Sequence, residues 1–451
     1  MEVGGRAKSS LHIAGWEIDG RMIINPIYPS TAVPLREYIN KLSKNLINVS
    51  LLCWKAPFYL RFGRERFTSL KWKIKTNPKV QYKNNHSPFF FGSYHEKIAI
   101  FDRKCAFLGG IDLAKKRWDT PHHERQSHLR SDFNGKPYNP IHDVQYVFTG
   151  KIIQDLETFI QKRADINLFE EQQSNQVQND LWPETFSPEV IATWGGLSRT
   201  VAESNILEIE NLYIDAIRSA EKFILIENQY LSHRIIIAEI EKRLEEHDGP
   251  EVIIILPFFY RGWSESAIYL SERNRAIRKL KSKDSSKKLR FLYPYIPSND
   301  EDIFIVVHSK YMVIDNTFMT MGSANLNFRS MRVDSEINLS LEAERDDGTK
   351  EFIESSVFKI LAEHLDISSE SFRHKFDQNN SLIMTIEAFQ NTRPKTLKEI
   401  PIHETTLMQK FLLFLYPFID IRKAVPKEYA YWATGGILIF FLIAAKVMNG
   451  H

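Results

Sequence analysis

Two stretches of this chain repeat one arrangement of residues that together can handle a phosphate ester. HEKIAIFDRKCAFLGGIDL begins at His95, and HSKYMVIDNTFMTMGSANL begins at His308, 213 positions later (308 minus 95). Both fit H-x-K-x4-D-x6-G-[GS]-x-[DN]-L. A neutral imidazole is one of the nucleophiles that work near neutral pH without a metal, and a second imidazole can carry the proton. Lys97 and Lys310 stand two positions after the histidines. On a strand they point to the same side as the imidazole and offer ammonium donors to phosphate oxygens. Ser323 and Asn325 add neutral donors in the following turn, where the first copy has Gly110 and Asp112. Asp102 and Asp315 close the motif; seven positions down a strand and turn from the imidazole, they are expected to bond within their own half. No cofactor or metal is expected. His122, His123 and His128 have no standard zinc-ligand spacing and no cysteine nearby, so they read as surface or loop histidines.

Strands have to carry these residues. Each lysine leads into an apolar run, Ile98 to Phe101 and Tyr311 to Ile314, followed by a glycine turn. Upstream of His308, the strand FILIENQYL (223–231) precedes a helix (235–247), the strand EVIIILP (251–257), a charged helix (264–283) and the strand LRFLYPY. This alternation predicts an α/β layered fold. Ile226 lies 82 positions before His308, whereas Leu52, in the apolar run NVSLLCWKA, lies 43 before His95. If those runs are equivalent strands, the first half is shortened by about forty residues (82 minus 43). The expected organisation is an extension over 1–44, a shortened first half over 45–165, a linker over 166–190 and a second half over 191–345. A helical region and linker over 346–427 and a transmembrane segment over 428–446 complete it.

Composition bounds the partners. The 451 residues are globular in character, and a net charge of +3 is too weak to indicate nucleic-acid binding. Cys53 and Cys105 are the only cysteines, which suits a reducing compartment. The first thirty residues lack an apolar core and carry Glu17, Asp19 and Arg21, so no signal peptide is expected. Tyr429 to Ala445, YAYWATGGILIFFLIAA, carries no charge; as a helix it reaches roughly 25 Å, slightly short of a hydrocarbon core of about 30 Å. Arg422, Lys423 and Lys427 before it favour a single-pass anchor with the catalytic part cytosolic. Met408 to Ile419 is too short to span and reads as an interfacial or final core helix. The nine Lys and Arg between Arg273 and Arg290 either dock anionic headgroups, at about 1 kcal/mol per charge, or form a solvated helix face. Trp118 and Asp119 either line a headgroup pocket or belong to the core.

The duplicated motif, ENQYL (Glu227 to Leu231), GSANLNFRSMRVDSE (Gly322 to Glu336), the run from Tyr94 to Thr120 and PIHDVQYVFTG (Pro140 to Gly150) resemble the phospholipase D superfamily, in its eukaryotic type. The resemblance covers roughly residues 45–345. It implies two pseudo-repeated halves with mixed sheets flanked by helices, and one site at their interface. It further implies a metal-free, two-step reaction through a phosphohistidine, with His95 as nucleophile and His308 as acid and base. By the same resemblance Glu336 pairs with His95 and Asp143 with His308. The implied substrate is a glycerophospholipid, phosphatidylcholine foremost, cleaved to phosphatidic acid and headgroup or transferred to a primary alcohol. A phosphatidyl transferase of the cardiolipin synthase kind, a nuclease and a membrane scaffold with a weakened first half are the alternatives. The low charge and the apolar segment argue against the nuclease.

Overall fold

The computed structural model describes residues 2–46, 48–56, 64–89, 92–164, 181–185, 187–192, 194–260, 263–343 and 347–402. The expected membrane segment at 428–446 and the apolar stretch 408–419 lie outside the described residues. Among the described residues no helix is long and apolar enough to cross a membrane.

The first sheet contains β1 (Ser10–Gly15), β2 (Asn48–Trp54), β3 (Val80–Asn85), β4 (Ile98–Phe101), β5 (Cys105–Gly109) and β6 (Gln145–Phe148). Its order is β3-β2-β1-β4-β5-β6. β1, β2 and β3 run parallel, and β4 to β6 pair antiparallel. The parallel strands are linked through α1 (Leu35–Leu42) and α2 (Thr68–Lys75), and α3 (Ile152–Ala164) follows β6.

The second sheet repeats this plan with β7 (Gly195–Val201), β8 (Phe223–Asn228), β9 (Glu251–Ile255), β10 (Leu289–Ile296), β11 (Lys310–Ile314), β12 (Phe318–Gly322) and β13 (Glu336–Glu342). Its central order is β10-β9-β8-β11-β12-β13-β7. Helix α4 (Glu208–Ser219) precedes β8, while α5 (Arg234–Glu245) and α6 (Trp263–Lys281) make the crossovers between parallel strands. FILIEN and EVIII are almost wholly apolar because helices cover one face of the sheet and the first half covers the other. α7 (Asp347–Leu365), α8 (Ser369–Asn379) and α9 (Leu382–Phe389) fill the helical region expected there. β14 (Thr396–Glu399) then adds antiparallel to β10, a strand the sequence reading did not anticipate. Ile98, Ile100 and Leu108 of the first half share one apolar core with Tyr311, Val313, Met319 and Met321 of the second. The motif strands are thus packed sheet against sheet.

The register overturns the shortened first half. In the second half Ile226 of β8 faces Met312, four positions after His308. In the first half the strand beside the motif is β1, where Ile13 faces Ala99, four positions after His95. Ile13 therefore corresponds to Ile226, and both lie 82 positions before their histidine (95 minus 13; 308 minus 226). Leu51 faces Ile13 as Ile254 faces Ile226, so the apolar run of β2 is the partner of β9. Nothing is missing from the first half, and residues 1–44 hold its central strand. Residues 166–180 of the expected linker lie outside the described residues; at its end Leu181 packs on Val3 and Cys105, and Arg6 pairs with Glu184 at 2.8 Å.

Candidate active site

Each motif histidine is pinned to the opposite half by its own backbone. His95 N donates to Ser335 O at 2.9 Å, and His308 N donates to His142 O at 2.8 Å. The residues following those carbonyls supply the side-chain partners. His95 Nδ1 lies 3.0 and 3.1 Å from the two oxygens of Glu336, and His308 Nδ1 lies 2.6 Å from Asp143 Oδ2. The two halves thus exchange partners reciprocally, pairing His95 with Glu336 and His308 with Asp143 as the resemblance implied. With Nδ1–H given to a carboxylate, Nε2 keeps the lone pair that a nucleophile or base needs.

The lysines close the frame. Lys97 Nζ sits on the His95 carbonyl and 3.4 Å from Asp112 Oδ2, while Lys310 Nζ sits on the His308 carbonyl and 3.2 Å from its Nδ1. Burial, reinforced by the neighbouring lysine charges, holds both imidazoles well below their ordinary range, so both are neutral near pH 7. Burial also brings the Lys310 ammonium down to about 7, against the pull of Asp143. The Asp143 carboxyl is raised to about 6, again by burial, with Lys310 opposing.

Glu336 is raised to about 8, chiefly by burial, with Lys97 opposing. Between the ordinary glutamate value and about 8 the folded chain holds a proton that the unfolded chain has released, so stability falls as pH rises through that window. The ionised form, which accepts Nδ1–H from His95, is therefore the less stable one. Glu336→Gln should abolish this slope: thermal melts of parent and variant should coincide near pH 5 and diverge by pH 8, the variant melting higher.

The turns after the motifs differ for a reason. Ser323 Oγ donates to Glu336 Oε2 at 2.5 Å, whereas at the equivalent Gly110 a Cβ would lie 2.1 Å from Asp143 Oδ1. Asp143 thus occupies the space that a serine side chain would need. Asp112 is held by Lys97 and by the Glu17 N–H, and Asn325 is buried with its Oδ1 unpartnered among the described residues. Of the four residues expected to bind substrate, Ser323, Asn325, Gly110 and Asp112, Ser323 and Asp112 are engaged by protein groups.

Asp102 and Asp315 do not reach the site. Asp102 accepts from the N–H groups of Lys8, Ser9 and Ser10, and Asp315 from those of Glu221, Lys222 and Phe223. They pin the start of the strand beside each motif from a left-handed turn, φ 49° and 54°. Asp315→Ala strands three donors and leaves a Cβ residue in that conformation; a loss of about 2 kcal/mol is expected in denaturant unfolding.

Several residues were missed or misread. Arg117 acts electrostatically on Asp143, His308 and Lys310. The Trp16 ring meets the His95 imidazole edge-on at 6.2 Å and stacks on Trp54 at 5.5 Å; it was hidden because its strand was assigned to an extension. His123, expected at the surface or in a loop, lies in a loop but is 2% exposed. Asp119 is structural, bonding His123, Arg130 and the Ile141 N–H. In the basic run, Arg273 is buried on the Pro257 and Phe258 carbonyls, and Lys279, Lys281, Lys283 and Arg290 each meet a glutamate.

Comparison with known proteins agrees with this geometry. Residues 213–355 match the family described as cardiolipin synthase, PLD-like domain. Phospholipase D alpha 1 of Arabidopsis thaliana is 25% identical over 368 residues, covering 54% of this chain and 45% of that protein. Phospholipase D1 of Schizosaccharomyces pombe is 24% identical over 345 residues, covering 55% and 24% respectively. The chain belongs to the phospholipase D superfamily. It spans about half the length or less of these curated relatives. The fold is also that of the phosphatidylserine synthase of Haemophilus influenzae, at TM-score 0.54 and 13% identity over 94% of this chain and 92% of that one.

Proposed function

We propose that this phospholipase D superfamily member cleaves the headgroup ester of a glycerophospholipid, phosphatidylcholine foremost, through a phosphohistidine. The observation that carries this reading is the reciprocal pairing of two neutral, buried histidines with carboxylates of opposite halves. His95 Nε2 attacks phosphorus, and the headgroup alcohol departs with an Nε2 proton of His308, which takes that proton up from solvent as the anionic phosphate binds between the halves. His308 then takes a proton from water or a primary alcohol, which displaces His95 and releases phosphatidic acid or a phosphatidyl-alcohol. Lys97, Lys310 and Arg117 supply the positive field for the phosphate oxygens. The apolar run 429–445 would hold the enzyme at its substrate as a single-pass anchor, with the catalytic part on the cytosolic side.

A second reading, transfer of a phosphatidyl group to a lipid alcohol, is favoured by the family description of residues 213–355. The two differ only in the acceptor. Full-length protein in mixed micelles would receive labelled phosphatidylcholine with ethanol, or phosphatidylglycerol without it. Phosphatidylethanol from the first arm supports the hydrolase reading. Cardiolipin from the second, with no phosphatidic acid in either arm, replaces it by the transferase. No product from any lipid rejects both.

A further inference from the structure

A second polar cluster lies outside the catalytic frame, where the first half meets α7. His123 Nε2 and His142 Nδ1 converge on one oxygen, Glu363 Oε1, at 3.0 and 2.9 Å. The three ligand atoms lie within 4.8 Å of one another. Each ring gives its other nitrogen to a further carboxylate: His123 Nδ1 is 2.8 Å from Asp119 Oδ2, and His142 Nε2 is 3.1 Å from Glu227 Oε2. Both histidines are almost fully buried.

Counting protons shows what this arrangement lacks. With the carboxylates ionised, four histidine-to-carboxylate contacts need four N–H groups, so both rings would have to be doubly protonated. Two buried imidazoliums, with ring centroids 5.7 Å apart, would then repel each other. A divalent ion at the point of convergence carries the same total charge of about +2 at one place. It leaves each ring neutral, with a single N–H donated to its outer carboxylate, the carboxylate–histidine–metal arrangement that orients ligating imidazoles.

We propose that His123, His142 and Glu363 hold a zinc ion. Two imidazoles and a carboxylate suit zinc better than calcium or magnesium, which favour oxygen donors. Glu363 is also open on one side. Its side chain is 24% exposed and borders a cavity of about 640 Å³ shared with Pro121, His122, Asp366 and Lys395, giving the ion an entry path and room for a water. The ion is structural. It ties the loop of Asp119 and His123, and the segment of His142, to α7, and so fixes the backbone that presents Asp143 to His308.

The test uses the full-length chain, stripped with a chelator and returned to zinc chloride or cobalt chloride alone. About one zinc per chain is expected by elemental analysis, with a rise in melting temperature of about 4 °C on re-addition. Cobalt should give the strong visible absorption of a low-coordinate N/O site. His123→Gln and Glu363→Gln should each lower the zinc retained at least about tenfold, while His122→Gln, at the exposed neighbour, should retain it. A wild-type chain that retains no zinc, gains no thermal stability and shows no cobalt band overturns the proposal, whatever the variants do. Equal zinc retention by His123→Gln and Glu363→Gln overturns it as well.

Discussion

Replacing either motif histidine by alanine is expected to lower cleavage of a phosphatidyl headgroup ester by at least about a thousandfold, with the fold intact. Both imidazoles are held neutral by burial, and each Nδ1 is occupied by a carboxylate, so no neighbouring group is placed to substitute for the lost Nε2. The two variants should nevertheless differ in one experiment. With a phosphatidyl ester of p-nitrophenol, whose leaving group needs no acid, His308→Ala retains the nucleophile and loses the base. It should release one equivalent of nitrophenol and trap an acid-labile phosphatidyl-histidine at His95, located by peptide mass spectrometry. His95→Ala should give no adduct. An adduct on His308 in the His95→Ala protein would exchange the two roles, and release without any adduct would remove the covalent step.

Gly110→Ala is the second large effect, and one methyl group is enough to cause it. The added Cβ would sit 2.1 Å from Asp143 Oδ1 and 2.9 Å from Oδ2 and Cγ. The carboxylate must therefore swing away from His308, where its Oδ2 now lies at 2.6 Å. Loss of that orientation should lower kcat by about 10²-fold, since misplacing a reacting group by about 1 Å costs that much. KM should change less than kcat, because the group displaced is Asp143, which bonds His308. Steady-state kinetics together with the phosphatidyl-histidine trap would check it. The first step should slow less than the second if His308 is the base. An unchanged kcat would mean that Asp143 does not orient His308.

Much of this site was legible in the sequence, because its signals are local. The spacing of His95 and Lys97, and of His308 and Lys310, marked the site residues, although the motif strands themselves begin only at Ile98 and Lys310. Glu336 and Asp143 were marked by the resemblance of the DSE and HDVQ segments to the phospholipase D superfamily. The structural part of Asp102 and Asp315 was also open to inference, since seven positions is too far from the imidazole for direct contact.

What the tertiary structure decided was which strands stand side by side. The run at β2 is more apolar than SLHIAG in β1, where His12 and Gly15 weaken the strand signal. Hydropathy therefore chose the wrong strand as the counterpart of β8, and the half looked shortened. Parallel pairing is non-local, so strength of pattern does not reveal neighbours; the common 82-residue offset to each histidine does so once register is known. The difference between Gly110 and Ser323 was visible as letters, but its cause is the place of Asp143, contributed from the segment just before β6. The cluster of His123, His142, Glu227 and Glu363 was invisible for the same reason. Its members are scattered over some 240 positions and share no motif, so only burial of the first half against α7 brings them to one point.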